Sequence, residues 1–172
     1  PVSMNLSWMD FYDEALINEI VDFLEHPEFP SELIRFEITE TSYAALEENV
    51  GRVLNKIKKK GAWILLDDFG SGYSSLNLLS KVAVDTVKLD KQFLDDTMNS
   101  EREETALTII KYLTKMLRHL GFKVLAEGVE TSEQLEMLRL ADCDIVQGYF
   151  YAKPMPIGEF RTFLQEFNER DN

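Results

Sequence analysis

Six times along the chain, a short apolar or alternating run is followed by a longer segment with the spacing of a helix. This order limits the fold more than any other feature. Strands that recur with a helix between them pair in parallel through right-handed crossovers. The runs cover residues 2–7, 33–38, 62–66, 86–89, 123–126 and 144–147. The third is apolar on both faces, as a strand covered from both sides should be. Six units are too few for a closed parallel barrel, which takes eight strands and typically ~250 residues. The expected fold is therefore a TIM-type (β/α)8 barrel of which about six βα units are present. They form one domain over residues 1–172, with about two units missing at the front. A doubly wound open sheet is the alternative, but no G-x-G-x-x-G follows a strand. No internal repeat, low-complexity tract or linker is evident.

The helical segments have recognisable stops and starts. One spans 10–25 with Phe11, Ile17, Ile20, Val21 and Leu24 inward, and His26-Pro27 ends it. The next runs to Lys60, with Leu46, Val50, Val53, Leu54 and Ile57 on one face and Gly61 as its cap. Lys58, Lys59 and Lys60 read as a solvated helix end. A short helix near 76–80 follows a glycine-rich loop. Ser100 and Glu103 suggest a capping box for the longest helix, and Thr131 with Gln134 another. A final helix is expected over 157–167.

Charge and cysteine usage narrow the function. The net charge of −13 argues against a DNA or RNA polymer or an anionic membrane as partner, since both need basic surface. The longest apolar run, 62–66, is far short of the roughly 18 residues of a membrane span. Cys143 is the only cysteine, which excludes an intrachain disulfide and fits a cytoplasmic location. The chain opens at Pro1 rather than Met, as a piece cut from a longer protein would.

Acidic residues recur where strands end. Glu37 and Glu40 close the second strand, Asp67 and Asp68 the third, and Asp90 the fourth. Glu127 and Glu130 follow the fifth, while Asn5 and Gln147 mark the first and sixth. Taken singly, each is an ordinary helix cap or loop residue. On successive parallel strands they converge on one rim, where barrel active sites form. Clustered carboxylates repel unless protonated or bound to cations, and oxygen ligands suit Mg²⁺ or Mn²⁺. Asp67-Asp68 suits two-metal hydrolysis, with one bridging and one terminal carboxylate. Gly70, Ser71, Gly72 and Tyr73 lie in a loop able to close over a phosphodiester. Lys88 faces the rim in this reading, to pair with a carboxylate or to stabilise charge on a phosphate. A Schiff-base role is the other option, opposed by the surrounding acids, which keep an amine protonated.

The strings 36–40 (FEITE), 67–75 (DDFGSGYSS), 87–90 (VKLD), 126–130 (AEGVE) and 147–149 (QGY) resemble, in order and spacing, the signature set of EAL-domain cyclic di-GMP phosphodiesterases. The opening 2–7 (VSMNLS) is similar to that family's asparagine-bearing strand. The resemblance implies hydrolysis of one phosphodiester of cyclic di-GMP to linear pGpG, with two divalent cations, Mg²⁺ or Mn²⁺. It implies Asn5, Glu37, Asp67 and Asp68 as metal ligands. Lys88, Glu127 and Gln147 would hold metal-bound water and the nucleophile, and Glu40 would anchor the loop. Asp90 and Glu130 join the loop residues as substrate or loop contacts. A homodimer and an upstream sensor or GGDEF domain are the implied protein partners. The family's Glu-Ala-Leu motif lies on a strand before the asparagine strand. Glu14-Ala15-Leu16 is a decoy, because it falls after Asn5 and inside an expected helix. Two other readings stay open: a non-hydrolysing receptor or scaffold for cyclic di-GMP or a protein, and a metal-dependent lyase on the same fold.

Overall fold

A computed structural model describes residues 1–45, 47–71, 76–95 and 103–170 of the chain; side chains are described outside 44–49 and 170. It is a half-barrel of six parallel strands in the order of the sequence: β1 (Val2–Asn5), β2 (Ile34–Thr39), β3 (Trp63–Phe69), β4 (Thr86–Leu89), β5 (Lys123–Ala126) and β6 (Ile145–Val146). The helices are α1 (Glu14–Leu24), α2 (Glu40–Ala45), α3 (Glu47–Lys58), α4 (Leu76–Leu79), α5 (Gln92–Asp95), α6 (Glu103–His119), α7 (Ser132–Leu140) and α8 (Ile157–Arg170).

Residues opposite one another in register share a face of the sheet. One face is apolar and carries the helices. Phe36, Ile38, Ile64, Leu66, Val87 and Val124 are buried there against Ile17, Leu24, Val50, Leu54 and Ile57. The other is the concave face, where Asn5 lies beside Glu37, Glu37 beside Leu65, and Lys88 beside Leu125. Thus a strand that looks uniformly apolar in 62–66 still sends alternate residues to two environments.

Several boundaries differ from the sequence expectation, each for a local reason. Asp13 accepts the Leu16 N–H at 3.0 Å and so starts α1 at Glu14, leaving Asp10–Tyr12 as a separate 3-10 turn. β3 extends to Phe69, so the two aspartates lie within the strand rather than beyond it. β6 is only Ile145–Val146, and Gln147 follows it. The Thr131–Gln134 capping box is present. The inward placement of Leu46 and the Ser100 cap fall outside the described residues.

Candidate active site at the strand ends

Lys88 organises the rim. It is only 6% exposed because all four residues of β4, a central strand, are buried. Its Nζ donates to Glu37 Oε2 at 3.1 Å and forms ion pairs with Asp67 Oδ1 at 3.0 Å and Glu127 Oε2 at 2.9 Å. The ammonium thus joins β2, β3 and the end of β5. Burial alone would push its pKa down. Close contact with Glu127 and Asp67, and the charges of Asp67 and Glu37, outweigh burial and hold the pKa above the ordinary lysine range. A protonated amine is no nucleophile, so the geometry runs against Schiff-base chemistry.

The Asp67-Asp68 pair depends on a backbone irregularity. In a regular strand adjacent side chains point to opposite faces, which would send Asp68 toward the helices. Instead the β3–β4 register shifts between Leu66 and Phe69, and Asp68 adopts a left-handed φ of 56°. This bulge re-aims the second aspartate. Asp67 meets Lys88, while Asp68 brings a carboxylate oxygen within 4.8 Å of ones from Asp90 and Glu127. A non-glycine residue held there costs on the order of 1 kcal/mol, strain typical of functional sites. Burial, then the charges of Asp67, Asp90 and Glu127, raise the Asp68 pKa, with Lys88 opposing. Asp67 Oδ1 is fully buried, with the Lys88 ammonium 3.0 Å away.

Three carboxylates (Glu37, Asp67, Glu127) therefore hold the ammonium, and Glu127 joins them to a second group with Asp68 and Asp90. A carboxyl whose charged form is disfavoured and an all-oxygen donor set together fit a hard divalent cation. Asp90 makes two kinds of contact. It caps α5 by accepting the Gln92 N–H at 2.7 Å, and it also belongs to the three-carboxylate group. Asn5 is placed beside Glu37 by register.

The remaining expected residues are distributed around this centre. Glu40 opens α2 directly after β2, where Thr39 caps the helix by accepting the Ser42 N–H at 3.2 Å. Gly70 has φ +96°, and a Cβ there would lie 2.3 Å from the Phe93 ring, so α5 packs directly on the loop after Asp68. Ser71 donates its N–H to Asp68 O at 3.2 Å, and Gly72 and Tyr73 lie outside the described residues. Glu130 is exposed, with its N–H given to Gln134 Oε1 at 2.7 Å. Gln147 is held by its backbone: its N–H goes to Ala126 O at 2.9 Å, and its carbonyl accepts the Val129 N–H at 3.1 Å. A cleft of about 290 Å³ between Lys91, Glu127, Glu130, Gln147 and Tyr149 adjoins the carboxylates.

The strings 126–130 and 147–149 contain Val129 and Gly148 without giving either a role, and Phe93 lies outside every string. Val129 is fully buried, and a Cβ on Gly148 would sit 2.1 Å from its carbonyl oxygen. That contact presses the Glu127–Glu130 segment against the segment after β6. The only hint in the sequence is a glycine directly after Gln147.

The EAL domain family model matches residues 1–154. The chain belongs to the EAL domain family. Relatives within that family include the cyclic di-GMP phosphodiesterase NbdA of Pseudomonas aeruginosa, 31% identical over 166 residues, which are 96% of this chain and 21% of NbdA. Among solved structures, the PaMucR phosphodiesterase in complex with c-di-GMP superposes with a TM-score of 0.80 at 28% identity. The match covers 92% of this chain and 63% of that one. Klebsiella pneumoniae BlrP1, solved as a manganese and cyclic di-GMP complex, gives a TM-score of 0.78 at 28% identity, over 88% of this chain and 38% of BlrP1. The chain spans about a fifth of the length of the curated relatives it matches. Among the described residues, no helix is long and apolar enough to cross a membrane.

Proposed function

We propose that the chain forms the larger part of a cytoplasmic phosphodiesterase module that hydrolyses cyclic di-GMP to linear pGpG. The observation that carries this reading is the meeting on one rim of Lys88 with Glu37, Asp67 and Glu127, and of Glu127 with Asp68 and Asp90. Asn5, Glu37, Asp67 and Asp68 would hold two divalent cations, with Asp90 added on the strength of its place beside Asp68 and Glu127. Such cations supply Lewis-acid activation of the phosphodiester and a metal-lowered pKa for water.

The chain's own residues do the rest. Lys88 keeps its proton and offers fixed positive charge where negative charge develops on the phosphoryl oxygens. Glu127, touching both Lys88 and the Asp68 group, accepts a hydrogen bond from the attacking water and orients it. Gln147 contributes a neutral amide to the same water network. Glu40 holds the loop after Asp68. A homodimer and an upstream sensor or GGDEF domain complete the signalling protein of which this module would be part.

The test is turnover of cyclic di-GMP with Mg²⁺ or Mn²⁺, followed by chromatography for pGpG. It is run on this chain and on a form extended upstream by about two βα units. Release of pGpG by either form supports hydrolysis. Tight binding of cyclic di-GMP by the extended form without cleavage would replace this reading with a receptor.

A further inference from the structure

The face opposite the rim, at the N-terminal ends of the strands, carries one contact pattern twice. Asp85, just before β4, accepts the Ile64 N–H on Oδ2 at 2.8 Å and returns its own N–H to Ile64 O at 2.9 Å. Asp144, just before β6, accepts the Val124 N–H on Oδ2 at 2.9 Å and returns its N–H to Val124 O at 3.1 Å. Each aspartate is also gripped by a cation from the last turn of a helix. Lys58 of α3 lies 2.8 Å from Asp85 Oδ1 and donates to Ala83 O at 3.4 Å. Arg118 of α6 lies 3.8 Å from Asp144 Oδ1 and donates to Asp142 O at 2.7 Å. In both cases the carbonyl belongs to the residue two before the aspartate.

The two aspartates also stand at one spacing from the rim. Asp85 precedes Lys88 by three residues, and Asp144 precedes Gln147 by three, with valine before each rim residue. Three residues of strand span about 10 Å. We infer that Asp85 and Asp144, with Lys58 and Arg118, are positioning residues for the chemistry proposed above. They lock β4 onto β3 and β6 onto β5, and so set the height at which Lys88 and Gln147 reach the carboxylates.

The need for such locks is visible in the ladder. Below the bulge, β3 and β4 are paired only at Leu65–Thr86 and Leu66–Val87, and β6 has two residues. A slip of one residue moves a side chain about 3.3 Å and turns it to the other face. For Lys88 that exchange would bury the ammonium among Leu66 and Val124 instead of three carboxylates. The reciprocal aspartate bonds extend each ladder by one rung in the observed register.

The experiment follows the Lys88 ammonium by ¹⁵N NMR in the full chain, with its signal assigned by loss in Lys88→Met. Asp85→Ala removes the side-chain rung. Asp85→Asn keeps an acceptor for the Ile64 N–H. Val84→Ala truncates a buried neighbour as a stability control. The expected result is a displaced or broadened Lys88 signal in Asp85→Ala, largely restored in Asp85→Asn and unchanged in Val84→Ala. Where wild type releases pGpG, Asp85→Ala should lose about tenfold in kcat with KM unchanged, since misplacement near 1 Å can cost up to ~10²-fold. A Lys88 signal at its wild-type position in Asp85→Ala, or the same displacement in Val84→Ala, overturns the inference. Should Asp85→Ala fail to fold, Lys58→Met takes its place with a smaller expected displacement, and no displacement overturns the inference equally. Absence of turnover in wild type would count against the proposed function alone and leave the NMR comparison decisive.

Discussion

Replacing Lys88 with methionine keeps most of the apolar stem of the side chain and removes its charge. The ammonium lies 2.9–3.1 Å from Glu37, Asp67 and Glu127 and is almost wholly out of solvent. At an effective dielectric of about 20, each such contact is a gross attraction of about 5 kcal/mol. Most of that is cancelled by desolvating the charges. What survives in the variant is a set of carboxylates facing one another without a cation. Removing one partner of a buried ion pair costs about 3–5 kcal/mol. For a chain of this size, where each kcal/mol moves Tm by about 2–4 °C, Tm should fall by about 6–20 °C in EDTA. A divalent cation binding the orphaned carboxylates should restore part of the loss, about 2.7 kcal/mol at a concentration 100 times its Kd. The assay is urea or thermal denaturation of both proteins in EDTA and in Mn²⁺. A variant within ~0.5 kcal/mol of wild type in EDTA, which is the range of an ordinary surface substitution, would refute the view that Lys88 is the counter-ion of this cluster.

Other substitutions test separate parts of the argument. Gly148→Ala should be severely destabilising by thermal denaturation, because its Cβ would overlap the backbone of Val129. Gly51→Ala, in the middle of α3 with nothing within 4 Å of the added carbon, should stabilise by up to about 1 kcal/mol in the same assay. The Asp68 pKa is raised, so above it the folded state holds a charge it disfavours, and that penalty fades as pH falls through the raised value. Asp68→Asn should therefore raise Tm in EDTA at neutral pH, with the gain narrowing as acid protonates the wild-type carboxyl. The same variant should lose stabilisation by Mn²⁺. Lys88 carries the opposite linkage: its raised pKa adds stability that is complete below the unfolded lysine value of about 10.4 and disappears as pH rises through the folded value. Wild type should thus lose its advantage over Lys88→Met in strongly alkaline urea titrations.

The alternation of strands and helices, the concave face and the acidic rim were all legible in the chain, because they rest on local periods. Residues 33–38 and 62–66 alternate or run apolar over lengths typical of a strand, and a carboxylate that ends a parallel strand lies at the rim. Boundaries were less legible. The sequence marked Asp67 and Asp68 as the end of a strand, whereas β3 continues through both. Their adjacency by itself predicts opposite faces. Only pairing with β4 produces the register shift that brings Asp68 onto the rim beside Asp67.

Lys58 shows the same division. Beside Lys59, Lys60 and a capping glycine it reads as a solvated helix end, and nothing local ties it to Asp85, which is 27 residues on. The matched spacing of Asp85 to Lys88 and Asp144 to Gln147 is present in the chain, yet it carries no meaning until the strands are paired. Residue types and their periods determined which elements form and which face each presents. Tertiary structure alone decided which side chains meet, because register, bulge and helix-to-strand distance are set by contacts between segments that the sequence keeps far apart.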